Sequence, residues 1–209
     1  MTPNRRPVYY GRMEELSTKE ILLRAGKSLF IEKGYHHTGL QEIVKSAGVP
    51  KGSFYHFFDS KEAFGIAVLE HHMKSFQPFI EKPLLEDKTT PPLKRLRNFF
   101  LSGCSQLASE GYQGGCIVGN FSQEMADQNE TCRAFLESAM QTWENLFIEC
   151  LREAQSMGHI SSREDVIELG HFLMNGWEGA ILRMKLTRSR KPLQNFLDLV
   201  FNKILVTGD

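Results

Sequence analysis

The sequence predicts an all-α protein whose first part is a helix-turn-helix, and three observations support this fold class. Apolar residues recur at three- and four-residue spacing from residue 17 almost to the end of the chain, which is typical of amphipathic helices. No stretch shows the strict alternation of a half-buried strand. Residues 48–58, GVPKGSFYHFF, combine a glycine turn with a short helix rich in hydrogen-bond donors. A helix, a tight turn and a second short helix are the elements of a helix-turn-helix.

The N-terminal part is expected to hold three short helices and to lead into a longer connecting helix. Ser17 and Glu20 form a capping-box pattern that opens the first helix, and Gly34 follows its last turn. The second helix follows Thr38, whose hydroxyl lies in the cap region, and Gly48 ends it. The predicted core of this part comprises Phe30, Leu40, Ile43, Val44, Val49, Phe54, Phe57 and Phe58.

The rest of the chain predicts a second, larger helical region. A polar, proline-rich break covers residues 87–92, and long amphipathic patterns follow it. A capping-box pattern at Ser161 and Glu164 is expected to open one long helix, and Pro192 opens the last. The predicted organisation is a flexible arm at 1–15, a helix-turn-helix DNA-binding domain at 16–62 and an effector-binding and dimerisation domain at 63–209.

Composition favours a cytoplasmic, reduced protein. Hydrophobic residues make up 41% and charged residues 24% of the chain, an ordinary composition for a protein with a buried core. No apolar run reaches the roughly 20 residues that span a bilayer, and no secretory signal pattern is present. The four cysteines lie far apart without a CxxC pair, which argues against zinc and a disulfide framework. Residues 1–62 carry ten basic against seven acidic residues, which suits a nucleic-acid partner.

The sequence does not predict an enzyme. It contains no GxGxxG, no P-loop and no nucleophile elbow. The adjacent pairs His36–His37 and His71–His72 lack carboxylate or cysteine partners at ligand spacing. We therefore expect no catalytic residue, no metal site and no cofactor.

Residues 17–70 resemble the helix-turn-helix signature of TetR-family transcriptional regulators. The resemblance is carried by GVPKGSFYHFFDSKEAFG together with Lys33-Gly34-Tyr35 and Thr38-Gly39-Leu40. The segments GCIVGNFSQEM (115–125) and GWEGAILRMK (176–185) resemble one branch of that family. This branch includes the repressor of acrylate-utilisation genes and the electrophile-sensing repressor of an N-ethylmaleimide reductase. The resemblance implies a repressor that a small-molecule effector releases from a palindromic operator, through movement of the connecting helix.

The resemblance also implies a homodimer formed through the last two long helices, roughly residues 162–206. Gly176 and Gly179 support close helix packing, because glycine inside a helix costs about 1 kcal/mol relative to alanine unless something approaches closely. That approaching helix could belong to the same chain or to a partner.

Seven residues are expected to contact double-stranded DNA. Those that the resemblance assigns to phosphates are Thr38, Lys51, Tyr55 and Lys61. Gly52 lies at the tip of the predicted recognition helix, where it lets the backbone approach DNA, and Ser53 and His56 are the expected base readers. The alternative for Tyr55 is an aromatic residue of the core.

The predicted effector-binding residues are Cys116, Asn120, Trp143, Trp177, Glu178, Arg183 and Lys185. Cys116 follows Gly114-Gly115 at a predicted helix start, where the positive end of the helix dipole would lower its thiol pKa. The resemblance implies that this cysteine and Lys185 take part in sensing a small unsaturated acid or an electrophile. The alternatives are a cysteine that only packs and two tryptophans that belong to the core. A different function stays open: a helical adaptor or activator of the same fold, with thiol-based redox sensing through Cys116.

Overall fold

The computed structural model describes residues 16–205, so the predicted arm at 1–15 lies outside it. This part of the chain forms nine α-helices and two π-helical turns, without a strand, which confirms the all-α prediction. The first helices are α1 (Thr18–Lys33), α2 (Leu40–Ser46), α3 (Lys51–Phe57) and α4 (Lys61–Glu81), the last continued by a π-helical turn (Lys82–Glu86). The others are α5 (Pro92–Ser109), α6 (Ile117–Met125), α7 (Glu130–Ser156), α8 (Val166–Thr187) and α9 (Lys191–Leu199), followed by a π-helical turn (Val200–Ile204).

The ends of the first helices follow the local signals in the sequence. Ser17 and Glu20 form both hydrogen bonds of the predicted capping box. Gly34 at φ +83° ends α1, and Gly48 at φ +66° makes the turn between α2 and α3, backbone angles that suit glycine. The N-cap of α2 is Gly39, however, and not Thr38. The Thr38 hydroxyl instead donates to the Gly34 carbonyl oxygen at 2.7 Å, so it closes the loop after α1.

We refer to α1–α3 as the head, and an aromatic cluster joins it to α4. Phe54 and Phe58 pack on Phe64 of α4 with ring centroids 5.1 and 4.9 Å apart, and Phe30 lies 5.9 Å from the same ring. Assigning Phe57 to this core was wrong, because its side chain is 37% exposed. Helix α3 ends at Phe57. The backbone at Phe58 is extended, and the Phe58 side chain, rather than that of Phe57, packs into the core.

The second region is built on α5, α7, α8 and α9, and its helix starts depart from the prediction at one point. Helix α8 begins at Val166, and the carboxylate of Asp165 caps it by accepting from the backbone N–H groups of Ile167 and Glu168. Ser161 and Glu164 form a turn before the helix, so the second predicted capping box was wrong. An aspartate placed directly before the helix caps it without help from a more distant serine. No helix within residues 16–205 is long and apolar enough to cross a membrane.

Candidate functional site

Helix α3 presents a polar face on an aromatic anchor. Phe54 is fully buried beneath it, whereas Lys51, Gly52 and His56 are exposed and Ser53 is half-buried. Tyr55 is 53% exposed, so it is not a core residue. Four donor-bearing side chains therefore share one short, rigidly seated helix, which is the geometry of a surface that binds an anionic partner.

Gly52 has no structural reason to be glycine within the chain itself. A Cβ added there would meet nothing within 4 Å, and its backbone does not need positive φ. Because the first turn of α3 would accept a side chain, the absence of one leaves room for a second molecule to approach the backbone. This is consistent with the predicted place of Gly52 at the tip of a recognition helix.

Two of the residues predicted to contact phosphates lie outside the exposed face of α3. Thr38 is completely buried, and its hydroxyl and backbone N–H are bonded to Gly34 and Tyr35, so its side chain cannot reach a phosphate in this structure. Lys61 is half-buried, and its ammonium lies 4.3 Å from the centroid of the Tyr35 ring. Burial lowers the pKa of Lys61. The assignment of Thr38 was therefore wrong, and Lys61 would have to leave Tyr35 to reach DNA.

A second polar cluster forms where the start of α6 meets α8. Cys116 is the N-cap of α6, and its sulfur accepts the Gly119 N–H at 3.4 Å. Asn120 donates to the Gly114 carbonyl oxygen at 3.0 Å and accepts from the Lys185 ammonium at 3.0 Å. The Lys185 side chain reaches Asn120 by passing over the glycine loop that precedes α6. We call Cys116, Asn120, Glu178 and Lys185 the thiol cluster.

Glycines make this close approach possible. Gly115 has φ +80°, and a Cβ there would lie only 3.0 Å from Cδ of Lys185. A Cβ on Gly119 would collide with the Glu178 carboxylate, so α8 can bring that carboxylate against the first turn of α6 only because residue 119 is glycine. On the other side of the loop, a Cβ on Gly114 would lie 2.6 Å from Ile31 of α1. The loop before α6 is thus held between α8 and the head.

The expected acidity of Cys116 was wrong in direction. Burial of the thiol, followed by the neighbouring Glu178 carboxylate, raises the pKa of Cys116 well above its ordinary value. The Gly119 N–H does stabilise a thiolate as expected for a helix start, but this effect is smaller. Burial also raises the pKa of Glu178. Cys116 is therefore a protonated thiol beside a carboxyl group.

The other predicted effector residues lie elsewhere. Trp143 is buried against His72 and Phe76 of α4, and Trp177 packs on Phe100 and covers Gly103 of α5. Arg183 lies on an open groove of about 510 Å³ between α8 and α9. The structure therefore brings together four of the seven predicted residues and distributes the remaining three over the core and the outer surface.

Sequence reasoning missed Glu124, which joins α6 to the head. Its carboxylate accepts the backbone N–H of Tyr35 at 3.1 Å and that of His36 at 2.9 Å. The contact is tight, since a Cβ on Gly34 would lie 2.6 Å from Oε1 of Glu124. The position of Glu124 could have indicated this contact. The helix dipole disfavours an acidic residue in the last turn of a helix, so a partner outside α6 is expected to stabilise its carboxylate.

Comparison with known proteins agrees with this architecture. A family model described as "Bacterial regulatory proteins, tetR family" matches residues 22–68, and one described as "Tetracyclin repressor-like, C-terminal domain" matches residues 92–200. The chain belongs to the TetR family. The first match covers the head and the start of α4, and the second covers α5 to α9.

Three relatives align over most of their length. The chain is 39% identical to the transcriptional repressor DhaR of Mycobacterium sp. strain GP1, over 92% of this chain and 95% of that protein. It is 41% identical to the transcriptional regulator AcuR of Cereibacter sphaeroides, over 84% and 80%. The crystal structure of reduced Escherichia coli NemR superposes with a TM-score of 0.80 at 31% identity, covering 88% of this chain and 96% of that one. Membership of the TetR family makes this chain a DNA-binding transcription regulator.

Proposed function

We propose that this TetR-family chain is a homodimeric repressor that binds a palindromic operator through α3 and leaves it when an effector reaches the thiol cluster. The observation that carries the proposal is α3 itself, with exposed Lys51, Tyr55 and His56 above a fully buried Phe54. A major-groove helix needs such donors on a rigid support. DhaR and NemR are both named as repressors, which supports repression rather than activation.

The proposed domain division keeps residues 16–62 for DNA and residues 63–209 for the effector and the dimer, with the protein acting in the cytoplasm. The Lys51 ammonium lies 5.9 Å from the centroid of the Tyr55 ring, so the two side chains can hold the same stretch of phosphate backbone. Ser53 and His56 are the proposed base readers. A helical adaptor would have no use for such an exposed basic and aromatic face, which favours the regulator.

An apolar stripe on α8 supports the homodimer. Phe172, Leu182 and Leu186 are 42%, 44% and 69% exposed, and their spacing places them on one side of the helix. Gly179 lies on the same side, and a Cβ there would meet nothing within 4 Å. Gly176, by contrast, is covered by Phe196 of α9 in the same chain. A second copy of α8 could cover the stripe and approach closely at Gly179, as the two-fold symmetry of a palindrome requires.

The proposed effector is a small unsaturated acid or an electrophile. The thiol of Cys116 offers a nucleophile, while Lys185 and Asn120 offer a cation and an amide for a carboxylate or carbonyl group. Cys104, Cys132 and Cys150 are buried, whereas Cys116 is partly exposed, although its thiol is enclosed between α6 and Glu178. The relative NemR was solved in a form described as reduced, which is consistent with sulfur chemistry in that protein.

A band-shift experiment with DNA from the gene's own upstream region tests the DNA-binding part. Lys51→Ala and Tyr55→Ala should abolish operator binding and leave the dimer intact, whereas Lys74→Ala, an exposed lysine of α4, should bind normally. If a variant only weakens operator binding, the slope of log affinity against log salt concentration should become less negative by about one unit for each phosphate contact removed. Wild-type affinity in both α3 variants would refute the assignment of this surface.

The effector part is tested on the same complex with acrylate, propionate and methylglyoxal. Release by unsaturated or electrophilic compounds that disappears in Cys116→Ser would establish a covalent thiol response. Release of both proteins by propionate would mean a reversible acid site in which the thiol only packs. A reporter behind the upstream region should rise in expression when the gene is deleted, and a fall would identify an activator.

A further inference from the structure

The thiol of Cys116 and the carboxyl group of Glu178 converge from two different helices. Glu178 projects from α8 onto the first turn of α6, where Gly119 leaves space for its carboxylate. A Cβ built on Gly119 would collide with a Glu178 carboxylate oxygen and lie 3.6 Å from Cβ of Cys116, so the carboxyl group and the cysteine at the N-cap position flank the same residue. The other ionisable group of the cluster, Lys185, is held by Asn120 through a 3.0 Å hydrogen bond. Glu178 is therefore the carboxyl group of the thiol cluster that can act on the thiol as a base.

This arrangement poses a chemical problem for covalent sensing. The thiolate is the reactive form of cysteine, and both burial and the adjacent carboxylate disfavour it here. A thiol that stays protonated reacts efficiently only if a base removes its proton as the new bond to sulfur forms. A base must lie within hydrogen-bond reach of that proton, and the carboxyl group that the structure places beside Cys116, around Gly119, is that of Glu178.

We propose that Glu178 accepts the Cys116 proton while the sulfur adds to the β-carbon of an α,β-unsaturated carbonyl compound. The S–H bond breaks as the S–C bond forms, and the electron pair of the C=C bond moves toward the carbonyl oxygen as an enolate. The protonated Glu178 then gives the same proton to the α-carbon. The product is a saturated thioether, no oxidant or reductant is consumed, and Glu178 ends in its starting state. This inference rests on the proposed effector class and adds the residue that makes the thiol reactive.

The two roles that Glu178 could play predict opposite results for one substitution. If the carboxylate only raises the thiol pKa, Glu178→Gln removes the negative charge, increases the thiolate fraction and speeds alkylation. If it is the proton acceptor, the same substitution removes the base and slows alkylation. General bases contribute about 10²–10⁴-fold to proton-transfer steps, and the greater acidity of the variant thiol offsets part of that loss. We expect alkylation to slow by about 10- to 100-fold.

The experiment follows alkylation of Cys116 in the full chain by acrolein, with intact-mass and peptide-mass detection under pseudo-first-order conditions from pH 6 to 9. Glu178→Gln is compared with wild type, with Glu178→Asp and with the control Glu149→Gln, an exposed carboxylate of α7. We expect Gln to be slow and to show a pH profile that rises with hydroxide, Asp to recover part of the rate, and the control to match wild type. Thermal unfolding of each variant confirms that it is folded.

Two results would overturn the inference. One is an unchanged or increased rate in Glu178→Gln, which would leave the carboxylate a purely electrostatic neighbour. The other is the absence of alkylation at Cys116 in the wild type. Operator release is measured separately, so a Glu178-dependent alkylation that does not release DNA would refute the proposed effector response and leave the chemistry standing.

Discussion

Replacing Glu124 with glutamine tests whether α6 holds the head. The carboxylate uses its two oxygens for two backbone N–H groups, those of Tyr35 and His36. A carboxamide has one oxygen and one NH₂ group, so one of the two N–H donors would face another donor. The substitution keeps the size of the side chain, and its effect therefore reports on hydrogen bonding and charge rather than on packing.

The size of the effect follows from the surroundings of the two bonds. Hydrogen bonds to a charged group contribute about 1.5–3 kcal/mol each, and water replaces part of this where the bond is exposed. The bond to Tyr35 is partly buried and the bond to His36 is exposed. We therefore expect a loss of about 2–3 kcal/mol in the free energy of unfolding. For a chain of this size, this corresponds to a fall in Tm of roughly 4–12 °C.

The assay has two readouts, made at equal protomer concentration. The first is thermal unfolding, and the second is the ratio of operator affinity without and with the compound that releases the wild type. If α6 transmits the effector signal through this contact, the ratio should fall by up to roughly 30-fold, the equivalent of about 2 kcal/mol of coupling. Gln123→Ala is the matched control, because that exposed amide donates only weakly within α6, to Gly119 at 3.5 Å. A glutamine variant with wild-type Tm and a wild-type ratio would refute the role of Glu124.

Three further predictions concern stability and assembly. Phe54→Ala should lower the free energy of unfolding by about 3–5 kcal/mol, whereas Phe57→Ala, at an exposed position, should lower it by less than about 1 kcal/mol. Chemical denaturation measures both values, and equal losses would contradict the assignment of Phe54 to the core. Leu186→Glu should convert the dimer to monomer in sedimentation velocity, because it places a charge in the apolar stripe, and an unchanged dimer would locate the interface elsewhere. Burial, with smaller effects of Lys27 and His71, lowers the pKa of His72 to about 4. Below about pH 6.5 the unfolded chain therefore takes up a proton at His72, while the folded state keeps this side chain neutral. Stability should therefore fall as pH drops from 6.5 to 4, and His72→Phe should weaken that dependence in urea titrations; an identical slope would refute it.

Local features of the sequence predicted most of the fold correctly. The capping box at Ser17, the glycine at residue 48 and the aromatic anchor Phe54 are each decided by neighbours within a few positions. Short-range rules therefore suffice for them. The same rules located Cys116 at a helix start, where its sulfur does accept the Gly119 N–H.

Contacts between distant parts of the chain account for the errors. Glu124 lies 88 and 89 positions from its two partners, and the effect of Glu178 on Cys116 likewise depends on how α8 packs against α6. A helix dipole can be predicted from sequence, but the burial and the carboxylate that outweigh it cannot. Thr38 was misjudged for a related reason, because only the folded loop shows its hydroxyl committed to the Gly34 carbonyl oxygen.

In the proposed mechanism, the contacts of α6 offer a route from the thiol cluster to the head in addition to the connecting helix. Gly114 packs on Ile31 of α1 before α6 begins. Glu124, one residue before the end of α6, accepts the N–H groups of Tyr35 and His36 in the loop directly after α1. Between these two points, α6 presents its first turn to α8. We expect the proposed adduct on Cys116 to occupy space between α6 and α8 and so to displace α6 relative to α8 or to the head. The ring centroids of Phe121 of α6 and Tyr35 lie 5.3 Å apart, and the Tyr35 ring also covers Gly65 of α4, so α6 and α4 both contact one aromatic ring next to the helix-turn-helix.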